Sequence, residues 1–114
     1  MGEADITIPV RRQLTAYNDR NIEDFIRCFA EDCIVEDGIG RVLMRGTEEI
    51  RPFYGKLFAN SPNLRCELVS RTVINDYVVD EERITGRGEQ NEIRRAVVVY
   101  HLTEGRIDHM RLLR

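Results

Sequence analysis

Lysine is almost missing from this chain. Of 114 residues, 17 are basic, and Lys56 is the only lysine among them. The cations are therefore arginines, scattered through every segment without forming a basic tract. With a formal net charge of -3, the chain lacks the electrostatic footprint of a nucleic-acid binder. Long apolar runs are also absent. None approaches the roughly 20 residues that a membrane helix needs, so no membrane partner is expected. The start Met1-Gly2-Glu3-Ala4-Asp5 lacks the cationic region and apolar centre of a secretory signal. Ile6 stands where a myristoylation motif prefers Ser or Thr. Cysteine is scarce and odd in number: Cys28, Cys33 and Cys66 lie in apolar stretches without metal-like spacing. They read as reduced core thiols of a cytoplasmic protein. The two histidines, His101 and His109, have no matching carboxylate cluster. Neither a metal nor a cofactor is expected.

Apolar residues make up 42% of the chain and charged residues 32%. One hydrophobic core, and a single domain over residues 1–114, fits this length. No internal repeat, low-complexity segment or linker interrupts it. The first half reads as helical. Pro9 suits a first turn, where its missing N–H costs nothing, and Val10, Leu14 and Tyr17 follow at helical spacing. Asn21 is a candidate N-cap. After it, Ile22, Phe25, Ile26 and Phe29 form an i, i+3, i+4, i+7 stripe that predicts a helix over Asn21 to Phe29. Thr47 is a candidate cap for a third helix, with Glu48 and Glu49 where the helix dipole favours acids. Ile50, Phe53, Tyr54, Leu57 and Phe58 give that helix an apolar face. Phe25, Phe29, Phe53 and Phe58 are expected to be buried.

The remainder reads as strand. Cys33 to Asp37 and Arg41 to Met44 flank the turn Gly38-Ile39-Gly40. Beyond Asn63, strands are predicted at Leu64 to Leu68 and Thr72 to Ile74, then at Tyr77 to Thr85, Ile93 to Leu102 and Arg106 to Leu113. Helices followed by an antiparallel meander predict an α+β domain with the helices on one face of the sheet. Ala96-Val97-Val98-Val99-Tyr100 is apolar without alternation, so both faces of that strand should be covered. A homodimer through the outer face, involving residues 68–73 and 97–101, is the expected cover. A single wet face is the alternative.

Asp37 is the leading candidate for chemistry. It ends an apolar strand, and a desolvated carboxylate is a stronger proton acceptor. Equally, Glu36 and Asp37 can be solvated residues before the glycine turn. The run Asp80-Glu81-Glu82-Arg83 splits between two faces of its strand. One of its carboxylates could enter a pocket and pair with Asp37, or the run could face solvent or an interface. Gly86-Arg87-Gly88 does not open a helix and so is no phosphate cradle. Arg114 shares a strand face with Met110 and Leu112, where it could meet an anionic substrate or simply be solvated.

The series Asn18…Phe29-Ala30-Glu31-Asp32…Val35-Glu36-Asp37…Arg45-Gly46-Thr47…Ile50…Phe53-Tyr54, continued by Asp76 to Arg83 and Tyr100 to Ile107, resembles the nuclear transport factor 2-like superfamily. Within it, the chain is most similar to the ketosteroid isomerase and SnoaL-like polyketide cyclase branch. The resemblance implies a cone-shaped, cystatin-like α+β roll: three N-terminal helices in the concave face of a curved, mainly antiparallel sheet. It also implies an apolar pocket and a homodimer. Asp37 then matches the isomerase's catalytic base, and Phe53 and Tyr54 match an aromatic pair lining the pocket. The isomerase's oxyanion donors, a tyrosine and a protonated acid, are replaced by Gln13 and Val98. Tyr17 lies one turn from Gln13 and could stand in. Gln13, Tyr17, Phe53, Tyr54, Val98, Tyr100 and Leu112 are the expected walls of the substrate site, and turnover of 3-ketosteroids is expected to be slight.

Three functions are compatible with this reading. The first is an isomerase- or cyclase-type enzyme acting on a small apolar carbonyl compound, with Asp37 as base. The second is a non-catalytic binder of a small apolar ligand. The third is an adaptor in which the dimer is the working part.

Overall fold

The structure, a computed structural model, describes residues 5–88 and 92–114. Helix α1 spans Thr7–Asn18, with Pro9 in its first turn. The Asp5 carboxylate accepts a hydrogen bond from the Thr7 amide at 2.9 Å. Helix α2 is a short turn and a half, Ile22–Ile26, capped by Asn21, whose side chain accepts from the Asp24 amide at 3.1 Å. The helix predicted to continue to Phe29 stops early, because Phe29 already begins strand β1, Phe29–Asp37. Phe25 and Phe29 are both buried and their rings lie 5.0 Å apart. The helical spacing correctly marked the apolar residues, but two different elements bury them.

Strand β2, Val42–Arg45, pairs antiparallel with β1 and leads into α3, Gly46–Ala59. Thr47 does not cap this helix. The Arg45 amide instead donates to the Glu49 carboxylate at 2.6 Å, so an acid inside the first turn reaches back to the helix entrance. Gly46 is required there. Its φ is 71°, and a Cβ would lie 2.8 Å from the Glu31 carbonyl oxygen.

Strands β3 (Arg65–Ile74), β4 (Tyr77–Thr85), β5 (Arg94–Thr103) and β6 (Arg106–Leu113) form the predicted antiparallel meander. The two predicted segments of β3 are one strand, with a register shift between Leu68 and Ser70. The six strands are ordered β2-β1-β6-β5-β4-β3, with only the β1–β6 pair parallel. The sheet curves around three N-terminal helices. No helix among the described residues is long and apolar enough to cross a membrane.

The core lies between the helices and the concave sheet face. Tyr17, Phe25, Tyr54 and Phe58 form an aromatic cluster with Phe25 at its centre, 4.7 Å from Tyr54 and 5.4 Å from Phe58. Burial of each such side chain stabilises the fold by about 1.5–3 kcal/mol. Phe53 is a correction to the expected core. It is 42% exposed and touches Tyr54 from outside. Residues 53 and 54 are one step apart on a helix, about 100° around its axis, so only one of them can face the sheet centre. Along β3 and at the start of β4, Leu68, Val69, Val73, Ile74 and Tyr77 are exposed; of these, Ile74 and Tyr77 oppose each other on the face away from Val78.

Candidate functional site

Alternation along β4 creates the site. Val78, Asp80 and Glu82 are buried on the concave side, while Tyr77 and Arg83 are exposed on the other. Two adjacent inward carboxylates need compensation, and each receives it differently. Asp80, fully buried, sits opposite Arg71 in the β3–β4 register. The guanidinium grips it with both arms, Nε to Oδ1 at 2.8 Å and Nη2 to Oδ2 at 2.9 Å. This pairing also raises the Arg71 pKa, through the hydrogen bond to Asp80 above all.

Glu82 has no ion-pair partner among the described residues. It is buried on the wall of a cavity of about 50 Å³, which is also lined by Gln13, Tyr17, Tyr54, Val98 and Tyr100. The Cys66 thiol and the Tyr100 hydroxyl lie beside its carboxyl and favour its charged form. Gln13 Nε2 donates in turn to Tyr100 Oη at 3.1 Å, which frees the phenol proton to point at Glu82. Burial, then the negative charge of Asp80, pushes the Glu82 pKa up from 4.5 to about 7. The donors and Arg71 offset only part of that rise. The phenols respond to the same environment. Burial first, and neighbouring acidic groups second, raise Tyr100 well above its ordinary value, and Tyr17 and Tyr54 rise as well. All three remain neutral hydrogen-bond donors at physiological pH. Glu82 is therefore a buried acid whose pKa is raised towards neutrality, among neutral donors.

Asp37 is elsewhere. It is not a wall of this cavity. Its Oδ1 accepts from the Ile39 amide at 3.0 Å and the Arg41 amide at 2.9 Å, closing the turn between β1 and β2. Those backbone donors, Arg41 foremost, lower its pKa. The apolar surroundings expected for a base are missing, and the solvated-turn alternative describes this residue. Pairing of a β4 carboxylate with Asp37 is likewise replaced by pairing with Arg71 and Tyr100.

Of the other expected wall residues, Gln13, Tyr17, Tyr54, Val98, Tyr100 and Leu112 do line the cavity, and Phe53 does not. Val98 lies opposite Asp80, and Ala96 opposite Glu82, in the β4–β5 register. The acid that the resemblance would place on the penultimate strand is thus carried one strand over. His101 and His109 engage Asp108 and Glu36, away from the cavity. Arg71 went unnoticed in the sequence because it stands among scattered arginines. That Asp80 to Arg83 split between two strand faces was visible, but which face turned inward, and the β3–β4 register that supplies Arg71, were not.

A curved sheet wrapped on three helices, with a buried titratable acid inside, defines the class: a small α+β roll with a lined interior. The chain belongs to the SnoaL-like domain family, which matches residues 10–110, within the nuclear transport factor 2-like superfamily. No curated protein matches the sequence. Among solved structures, a cystatin-fold protein from Novosphingobium aromaticivorans superposes with a TM-score of 0.90 at 19% identity, covering 98% of this chain and 100% of that one. An M. tuberculosis LEH-like epoxide hydrolase gives 0.82 at 14% identity, covering 95% and 80%. A Catenulispora acidiphila protein with a ketosteroid isomerase-like fold, in complex with trimethylamine, gives 0.74 at 18% identity, covering 92% and 83%. At these identities the likeness concerns the fold. Activities and ligands differ between the neighbours, so the chemistry must be read from this chain's own residues.

Proposed function

We propose that this protein is a proton-transfer enzyme of the isomerase or cyclase type, acting on a small carbonyl compound with Glu82 as the proton carrier. The observation that carries this reading is the buried Glu82 carboxyl on the wall of a cavity it shares with Gln13, Tyr17, Tyr54 and Tyr100, its pKa raised to about 7 by burial. Near neutrality its carboxylate form removes a proton from the carbon beside a carbonyl. The resulting acid returns that proton to another carbon, with no net redox change. Tyr17 and Tyr54, kept protonated by burial, supply donors for the charge that develops on the carbonyl oxygen. Gln13 orients Tyr100 and does not itself contact Glu82 in this scheme.

The test is deuterium uptake beside the carbonyl of small ketones and β-keto acids in D₂O, followed by NMR. Glu82→Gln should slow it by roughly 10²- to 10⁴-fold, and the wild-type rate should show an inflection near pH 7. Undiminished exchange by Glu82→Gln, or loss of exchange in Asp37→Asn, would overturn the assignment. Turnover of 3-ketosteroids should be slight. The cavity of about 50 Å³ is far below the roughly 300–1,000 Å³ of typical ligand pockets.

Exposed apolar residues of the outer face support a second reading, in which two copies pair through that face. Ile74 and Tyr77, opposite each other in the β3–β4 register, are 55% and 45% exposed there, and a stable interface buries at least roughly 1,000 Å². A mass near twice 13.3 kDa by light scattering at micromolar concentration is expected. A monomer would end this reading.

A further inference from the structure

The cavity's rim differs in charge from its floor. Among the described residues of the cavity wall Glu82 is the only carboxylate, and the wall also includes Arg87 and Arg114. Arg87 is shared with an adjoining cleft of about 440 Å³, bordered by Phe53, Lys56, Leu57 and Arg94, with no carboxylate among its described lining residues. That cleft is within the size range of small-molecule sites, and it collects the chain's single lysine and two of its arginines. Neither Arg87 nor Lys56 has an ion-pair partner among the described residues. The half-buried Arg71 and Arg111, unlike the half-buried Arg87, do have one; Lys56 is exposed.

The loop that carries Arg87 is held in place. Gly86 has φ 72°, and a Cβ there would lie 2.1 Å from the Asn63 carbonyl oxygen, so only glycine lets the loop approach. The Gly88 amide donates to the fully buried Ser61 Oγ at 2.7 Å. Arg87 is thereby clamped from both sides at the junction of cleft and cavity. Its charge reaches inward, where it opposes the rise of the Tyr17 and Tyr54 pKa values. The charge comes from side chains, so the absence of a helix N-terminus at Gly86-Arg87-Gly88 is no obstacle.

We propose that the substrate is a small amphipathic acid. Its anionic group docks in the cleft on Arg87 and Lys56, its apolar portion rests against Phe53 and Leu57, and its carbonyl-bearing end enters the cavity to face Glu82. An arginine fork recognises carboxylate and phosphate alike, and the exposed position of Phe53 gains a purpose as an apolar border of the cleft. The inward end must be slim, because the cavity offers room for only a few water molecules, at about 10–15 Å³ each. The direction of binding rests on the acid–base reading of Glu82, whereas docking of the anion does not.

Calorimetric titration with hexanoate, hexyl phosphate and 1-hexanol tests this on the full chain. At least one anion should bind ten or more times tighter than hexanol, and more weakly as salt is raised. The stronger of the two anions identifies the chemical source of the charge. Arg87→Gln should remove most of that preference and Lys56→Gln part of it, while hexanol binding stays unchanged. Glu82→Gln should still bind the preferred anion. Equal binding of all three probes, no anion binding at millimolar concentration, or full anion preference in both cation variants would overturn the proposal. Deuterium exchange that survives in Glu82→Gln would remove the acid–base reading and leave the anion result standing, so the two failures are separable.

Discussion

The two ends of the sheet handle aspartate and glutamate in opposite ways. At the β1–β2 turn, Asp37 meets two backbone amides in a solvated setting, and its pKa falls. On β4, Glu82 meets a dry wall and a second carboxylate, and its pKa rises to about 7. Amides that stabilise the charged form make a structural acid, whereas desolvation that penalises it makes a chemical one. Position on an apolar strand does not separate the two cases. What separates them is whether the carboxylate's nearest partners are unpaired N–H groups or buried side chains. Between the extremes lies Asp80, as buried as any residue in the chain but committed to Arg71.

That contrast can be broken most severely at Arg71. Arg71→Ala leaves Asp80 buried without its partner and should cost about 3–5 kcal/mol of stability, read by urea unfolding. Replacing both, Arg71→Met with Asp80→Leu, should recover much of the loss. If Arg71→Ala unfolds at the wild-type midpoint, the pair is not the counterweight described above.

Glu82 should show the next largest effect, and its sign is set by linkage. Folding raises its pKa from 4.5 to about 7, so the fold binds the proton more tightly than the unfolded chain does. The stability associated with this group is fully present below about pH 4.5 and is lost as pH rises through about 7, by roughly 3 kcal/mol. Glu82→Gln lacks this dependence. It should be more stable than wild type at pH 8 and lose that advantage at pH 4.5. A pH-independent difference between the two proteins would mean that Glu82 is not shifted.

Asp37 should give the smallest effect and the reverse trend. Its lowered pKa contributes stability above its ordinary value of 3.8, lost as pH falls. Asp37→Ala should melt slightly below wild type at neutral pH, and the two should converge in acid. Should Asp37→Ala instead gain stability with rising pH, the turn would not be using the charge.

Much of this was legible before any coordinates. Tyr77–Thr85 and Arg106–Leu113 have the predicted bounds, because alternation and the flanking turns Asn75-Asp76 and Thr103-Glu104-Gly105 mark strands locally. The resemblance placed Gln13, Tyr17, Tyr54 and Val98 around one interior, and they are there. The errors have local causes too. The stripe ending at Phe29 looked helical because apolar spacing records which residues are buried and not which backbone buries them. Phe53 beside Tyr54 looked equally internal until the helix axis fixed which of the two faced inward.

The sequence by itself determined the family, the order of helices and strands, and that the run Asp80 to Arg83 divides between two strand faces, since these follow from resemblance and from periods of 3.6 and 2. Only the tertiary structure decided which acid is buried with a raised pKa and which stays a solvated turn residue. That choice depends on register and distance: Arg71 opposite Asp80, Tyr100 within reach of Glu82, and two amides waiting for Asp37. A carboxylate's proton affinity is set by the groups within a few ångströms of it, and residues 66, 82 and 100 become neighbours only when the sheet closes around the helices.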